Sequence, residues 1–97
     1  MNFSWDPRKA NSNLRKHGVA FDEAITVFND PMALIFDDMV RSEEEHREII
    51  IGFSALRRLI LVCFVERSED TIRIISARCA TKVEIRDYEK NAQHKIS

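Results

Sequence analysis

Three apolar runs separated by only a few residues limit the fold of this chain more than any other feature of its sequence. Arg47 begins REIIIGFS, Arg57 to Glu66 reads RRLILVCFVE, and Thr71 to Arg78 reads TIRIISAR, each rich in β-branched residues at strand spacing. The links between them, SAL and RSED, join only antiparallel neighbours, because a parallel pair needs a long crossover. A shorter apolar run, Met32 to Phe36, precedes them across the polar, mostly acidic stretch DDMVRSEEE, which reads as a solvated connection. The expectation is a four-stranded antiparallel meander.

Helical signals lie on either side of these strands. Asp6 followed by Pro7 is a helix start, since Asp caps free N–H groups and Pro fits the first helical position. That helix runs to about His17 and stops at Gly18, with Arg15, Lys16 and His17 in the last turn, where positive charge complements the helix dipole. Its apolar side is thin, so it is expected to bury little, and Phe3 to Trp5 before it reads as an extended lead-in. A second, clearly amphipathic helix carries Phe21, Ala24, Ile25 and Phe28 at i, i+3, i+4 and i+7 and ends at Asn29, Asp30 and Pro31. After the last strand, Thr81 and Glu84 form a capping box that opens a C-terminal helix with Ile85, Tyr88 and Ala92 on one stripe. The tail NAQHKIS reads as frayed. Two N-terminal helices, the meander and a C-terminal helix make an α+β domain.

The chain has 97 residues, enough for one domain and one modest core, and residues 1–97 are read as a single unit. The opening MNFSWDPRKAN has charges where a secretory signal needs an apolar run, and no run approaches the roughly eighteen apolar residues of a spanning helix. A soluble, intracellular protein is expected, with no membrane partner. Cys63 and Cys79 lie in apolar strand-like runs without a supporting set of histidines, and read as buried, reduced thiols rather than a redox or metal site. The net charge of −1 hides an asymmetry: residues 1–56 carry six basic and ten acidic side chains, whereas residues 57–97 carry nine and six. A basic second half is compatible with a local anion site.

Glycine-rich phosphate loops, HExxH and nucleophile elbows are all absent from the sequence. The strand-to-helix corner from Ile72 to Lys90 instead gathers Arg73, Arg78, Lys82 and Arg86 with Ser76 and Tyr88, a cationic and hydroxyl-bearing place for an anion. Simple alternation puts Ile72, Ile74, Ser76 and Arg78 on one side of the strand and Arg73, Ile75, Ala77 and Cys79 on the other. Arg78 offers a planar fork to a phosphate, or equally an ion pair to Glu84 or Glu66. Arg67 and Arg47 stand at strand ends as rim charges or further cations, and Tyr88 as a core ring or a catalytic group. Lys16 and His17 are either dipole-compensating residues or a proton-moving pair.

The residues FSWDPRKANSNLRKHGVAF, DEAITVFNDP, LILVCFVER, IRIISARCAT and RDYEK, in this order from Phe3 to about Lys90, resemble the BrnT toxins of bacterial type II toxin–antitoxin pairs. The resemblance implies a RelE-like fold, a cytoplasmic ribonuclease that needs no metal or other cofactor, and inhibition of translation. It further implies neutralisation by a small BrnA-like antitoxin of the ribbon-helix-helix kind, with promoter DNA reached only through that antitoxin and a homodimer allowed within the complex. One departure is visible: Leu56, Arg57 and Arg58 stand where such toxins have a Gly-Arg turn, so a differently shaped hairpin is expected. Metal-free RNA cleavage needs a base for the 2′-hydroxyl, cations for the charge growing on phosphate and an acid for the leaving oxygen. Arg78, Arg67 and Arg47 suit the cationic part; His17, Glu66 and Lys16 are all open for proton transfer; Arg73, Lys82, Arg86 and Tyr88 are RNA-contact candidates. A non-catalytic module that works with a ribbon-helix-helix partner as a transcriptional co-repressor is the alternative.

Overall fold

The computed structural model describes residues 1–39, 45–68 and 70–96, the last five as backbone only. Along the chain run β1 (Asn2–Ser4), α1 (Pro7–His17), α2 (Phe21–Ala24), a 3-10 segment (Ile25–Asn29), β2 (Leu34–Asp37), β3 (Arg47–Phe53), β4 (Leu59–Ser68), β5 (Thr71–Cys79) and α3 (Lys82–Ile96). The expected meander is present as β2 to β5, all antiparallel. It forms part of a five-stranded mixed sheet of order β1-β5-β4-β3-β2, because the N-terminal lead-in adds to β5 as a parallel strand with Phe3 opposite Ile72. Three residues are too few for periodicity to register, and their partner lies at the other end of the sequence. Most of the expected acidic loop, residues 40–44, and Glu69 of the RSED link lie outside the described residues.

Local chemistry accounts for the helix boundaries. The Asp6 carboxylate accepts the Arg8 N–H at 2.9 Å, and Gly18 takes φ 68° while its N–H donates to the Leu14 carbonyl. The segment expected as a second full helix is one α-turn followed by a tighter 3-10 stretch. Consecutive β-branched Ile25, Thr26 and Val27 are poor helix formers, and the Thr26 hydroxyl donates to the Glu23 carbonyl at 2.6 Å, drawing the backbone tighter. Phe21, Ala24 and Val27 still reach the core. At the other end, α3 continues through the tail that was expected to fray.

The sheet has two unequal faces. On the first, Ile50, Ile60, Val62, Phe64, Ile72, Ile74 and Ala77 pack against Val19, Phe21, Ala24 and Val27. Phe28 stacks on both Phe3 and Phe64, so the same apolar cluster fastens β1 to the sheet. On the second face, among the described residues, α3 covers the end formed by Ile51, Leu59 and Leu61, through Ile85 and Tyr88. Asp30 fastens that arrangement, accepting from the N–H groups of Met32 and Phe53 and from the Tyr88 hydroxyl. Gly52 is needed beside it: a Cβ there would lie 2.9 Å from the Ala33 Cβ and 3.0 Å from an Asp30 carboxylate oxygen.

A bulge changes which β5 residues share a face. Cys63 is opposite Ser76 but the next β4 residue, Phe64, is opposite Ile74, leaving Ile75 as the extra residue. Directly opposed residues point the same way. Ala77 and Ile74 therefore both enter the core, while Arg73, Ser76 and Arg78 share the second face. Strict alternation had put Arg73 on the opposite side from Ser76 and Arg78; a single inserted residue reverses that.

Beyond the three residues paired with β1, the free edge of β5 is closed by a side chain. The Asn13 amide accepts from the Ala77 N–H at 3.0 Å and donates to the Ala77 carbonyl at 2.8 Å and to the Val19 carbonyl at 3.0 Å. Asn13 is 6% exposed, so α1, expected to bury little, buries its key polar group. Glu23 is similarly buried, held by the Arg58 guanidinium and by the Ser54 hydroxyl at 2.7 Å; the Arg58 hydrogen bonds hold its carboxyl below the usual carboxylate range. Arg58 also donates to the Gly18 carbonyl, which ties the β3–β4 turn to the end of α1. In that turn Arg57 takes φ 62°, a left-handed conformation that favours glycine.

Asn13→Ala leaves the Ala77 N–H and carbonyl buried without partners, and is expected to destabilise the fold by about 2–3 kcal/mol in urea titrations. Arg57→Gly is expected to stabilise it by about 0.5–1 kcal/mol, since relief of left-handed strain exceeds the entropy that glycine loses on folding. An unchanged urea midpoint in either variant contradicts its assignment.

Candidate active site

Beside the end of the second face that α3 covers lies a cleft of about 380 Å³, lined among the described residues by His17, Asp38, Ile49, Leu61, Cys63, Ser76, Ala77 and Arg78. The floor is read from the register. Ile49, Cys63 and Ser76 form one row across β3, β4 and β5; Ile51, Leu61 and Arg78 form the next; Arg47, Val65 and Arg73 form the row on the other side. His17 arrives from the last turn of α1, at the β5 edge that Asn13 secures. Asp38 follows β2, its N–H donating to the Arg47 carbonyl and its carboxylate 3.8 Å from the Cys63 sulfur. The cleft thus combines an imidazole, a carboxylate, a guanidinium and a hydroxyl over an apolar floor.

Arg78 is held tightly. Its Nη1 and Nη2 donate to the two Glu84 carboxylate oxygens at 2.8 Å each, and Nη1 also reaches the Cys79 carbonyl at 3.3 Å. The expected capping box is formed, with Thr81 N–H donating to Glu84 and Glu84 N–H donating to the Thr81 hydroxyl. These bonds, the Arg78 pair foremost, lower the Glu84 pKa to about 2 against the cost of burial. Of the two readings of Arg78, the ion pair with Glu84 is present, and it coexists with a place in the cleft wall.

Of the two cysteines expected to be buried, Cys63 is half-buried in the cleft floor and Cys79, at the end of β5, is exposed. The remaining candidates are scattered. Arg47 and Arg73 share the cleft face one row away from Cys63. Arg67 sits at a second bulge, between Glu66 and Ser68, and pairs with Glu45 at 2.7 Å. Glu66 is opposite Ile72, whose side chain belongs to the other face, and lines a small hollow with Met1 and Asp70; it does not reach the cleft. Lys16 is exposed on α1, outside the cleft lining, and Lys82 and Arg86 are exposed on α3. Tyr88 is 4% exposed, edge-on to Phe53, with its hydroxyl donating toward Asp30 and the Met32 carbonyl. Burial, with Asp30 beside it, pushes its pKa up to about 12. The structure therefore moves Tyr88 from the RNA-contact candidates into the core, because the α3 stripe that docks on the sheet includes it.

Asp38 was hidden in the sequence inside an acidic stretch, where one carboxylate looks like the others. A separate trio, Asp37, His46 and Glu48, has its ligand atoms within 4.8 Å of one another, but His46 is already paired with Asp37 at 3.0 Å and the group is solvent-facing.

Residues 5–84 match the family model described as ribonuclease toxin, BrnT, of type II toxin–antitoxin system. The chain belongs to the BrnT family. The crystal structure of the Brucella abortus ribonuclease toxin BrnT superposes with a TM-score of 0.66 at 25% sequence identity, covering 84% of this chain and 99% of that one. No curated protein matches the chain at a significant level. The BrnT match spans the strands and the α1 terminus that build the cleft, and ends at Glu84, the residue that holds Arg78.

Glu84 and Glu23 both have folded-state pKa values below their usual value of 4.5. Groups depressed in this way stabilise the fold above the unfolded value and lose that contribution as pH falls through the folded one. Stability from urea titrations is expected to hold from pH 7 to about 5 and then fall toward pH 2. Glu84→Gln should start lower and lose less across that interval; parallel profiles for the two proteins contradict the Arg78–Glu84 assignment.

Proposed function

We propose that the chain is a metal-independent endoribonuclease toxin that cleaves RNA in the cleft between His17 and Arg78 and so inhibits translation. The observation that carries this reading is convergence: a helix C-terminus and a strand end from opposite parts of the sequence place an imidazole and a guanidinium in one concave site. The BrnT family membership supplies the ribonuclease class. In the proposed reaction the 2′-oxygen loses its proton, attacks the adjacent phosphorus and expels the 5′-oxygen, which takes up a proton. The products are a 2′,3′-cyclic phosphate and a 5′-hydroxyl end.

Asp38 and His17 flank the cleft and are the proton carriers in this reading, replacing Lys16 and Glu66, which lie outside it. Arg78 balances the charge growing on the phosphate oxygens. Arg47 and Arg73 extend the cationic surface along the same face, and Arg67, Lys82 and Arg86 are available at its margins for the flanking RNA backbone. Metal independence in this reading is supported by the cleft's own groups: an imidazole and a carboxylate to move protons and a guanidinium for the growing charge cover the three tasks of the reaction.

The antitoxin in this reading is a ribbon-helix-helix protein that also carries the complex to promoter DNA. Phe36 and Met39, on and just beyond the outer strand β2, are 47% and 82% exposed and provide an apolar place for it beside the cleft, Phe36 being opposite the cleft residue Ile49. No described helix is long and apolar enough to cross a membrane. The Arg78–Glu84 pair also suits the alternative, a non-catalytic co-repressor whose arginine is purely structural, and RNA cleavage by the purified protein separates the two.

Expression of the wild-type chain alone should arrest growth, and Arg78→Ala should restore it while antitoxin binding is retained. In vitro, Arg78→Ala is expected to lower kcat by about 10²–10³-fold. His17→Ala is expected to lower it by about 10²–10⁴-fold, with a chelator leaving the wild-type rate unchanged. A folded Arg78→Ala protein that cleaves RNA at the wild-type rate removes the cleft from the mechanism.

A further inference from the structure

Arg78 is the cation of the proposed cleft, yet its charge is already matched by a carboxylate. A guanidinium has five N–H donors. Glu84 takes the two that face forward from Nη1 and Nη2, and the Cys79 carbonyl takes the other Nη1 proton. Two remain: Nε–H and the Nη2 proton beside it. These are parallel and form the side-on fork that accepts two oxygens of one phosphate. The pairing leaves Arg78 able to bind phosphate through one edge only.

Glu84 is itself immobilised. Its Oε1 accepts the Thr81 N–H at 2.8 Å, its own N–H donates to the Thr81 hydroxyl, and the next residue, Ile85, packs against the apolar end of the sheet. A long, flexible arginine is thereby tied to a helix start that is anchored in the core. We infer that Glu84 is a positioning residue for the ribonuclease reaction, fixing Arg78 so that its Nε–Nη2 edge meets the scissile phosphate. The inference rests on the cleft being the RNA site. It adds that the helix cap of α3 and the alignment of Arg78 are one device, so the same carboxylate serves fold and chemistry.

An electrostatic cost accompanies this arrangement, since a negative charge near the site opposes the RNA backbone. Removing that charge should favour ground-state RNA binding while loosening Arg78 for the transition state. The two effects separate in the kinetic constants. With a single-stranded RNA oligonucleotide, Glu84→Gln is expected to lower kcat by about tenfold or more and to lower KM as well. Glu89→Gln, which removes the same charge from an exposed position on the same helix, should keep both constants within about twofold of wild type. A loss in Glu89→Gln equal to that in Glu84→Gln, or a rise in kcat in Glu84→Gln, overturns the inference.

The wild-type protein supplies an independent measurement should Glu84→Gln fold poorly. The Arg78 Nε–H resonance, assigned by its absence in Arg78→Lys, is expected to shift on titration with the 2′-deoxy analogue of the oligonucleotide. A resonance that stays unmoved at saturation overturns the proposal. Arg78→Ala run alongside separates the two levels: wild-type cleavage by that variant defeats the cleft itself. Lost cleavage in Arg78→Ala, with unaltered constants in Glu84→Gln, defeats only the role given to Glu84.

Discussion

The hydrogen bonds between the Asn13 amide and both backbone groups of Ala77 hold together the parts of this protein that build the candidate site. β1 is only three residues long, so most of the outer edge of β5 would otherwise present unpaired N–H and carbonyl groups, which burial makes costly. A carboxamide offers a donor and an acceptor with nearly the spacing of a neighbouring strand, and Asn13 fills that place from a helix. The choice of a helix rather than another strand has a geometric result. One turn further along α1, His17 reaches around the sheet edge into the cleft, opposite Asp38 and beside Ser76 and Arg78.

A second constraint comes from the unequal covering of the sheet. The first face is filled by α2, the 3-10 segment and the aromatic cluster of Phe3, Phe28 and Phe64. Among the described residues the second is covered where Ile85 and Tyr88 dock, and its remaining portion carries the basic and polar side chains that the bulge at Ile75 turns to that side. The cleft is thus what remains after α3 has buried its narrow apolar stripe. Glu84 and Asp30 fix the two ends of the docked segment, one through Arg78 and the other through Tyr88.

Much of this architecture was legible residue by residue. Asp6-Pro7 and Gly18 mark α1 because capping and left-handed termination depend on side chains in the sequence itself. Thr81 and Glu84 mark the start of α3 for the same reason, and the short links force β3, β4 and β5 to be antiparallel. Among candidate site residues, Arg78 and His17 were legible as a cation and an imidazole, and the cleft brings these two together. Glu66 and Tyr88 lie away from the cleft, because their directions depend on strand pairing and on helix docking rather than on residue type. Asn13 and Asp38 carried no distinguishing signal, one being a polar residue in a helix and the other one acid among several.

By itself the sequence determined α1, α3, the antiparallel order of the meander and the family, since each depends on local backbone chemistry or on ordered residue patterns. Only the tertiary structure decided that β1 is a strand, that Arg73 shares a face with Ser76 and Arg78, and that His17 lies in the same cleft as Asp38. The reason is that these relations depend on long-range pairing and on a one-residue insertion in register. A bulge reverses every face assignment beyond it while leaving the composition of the strand unchanged.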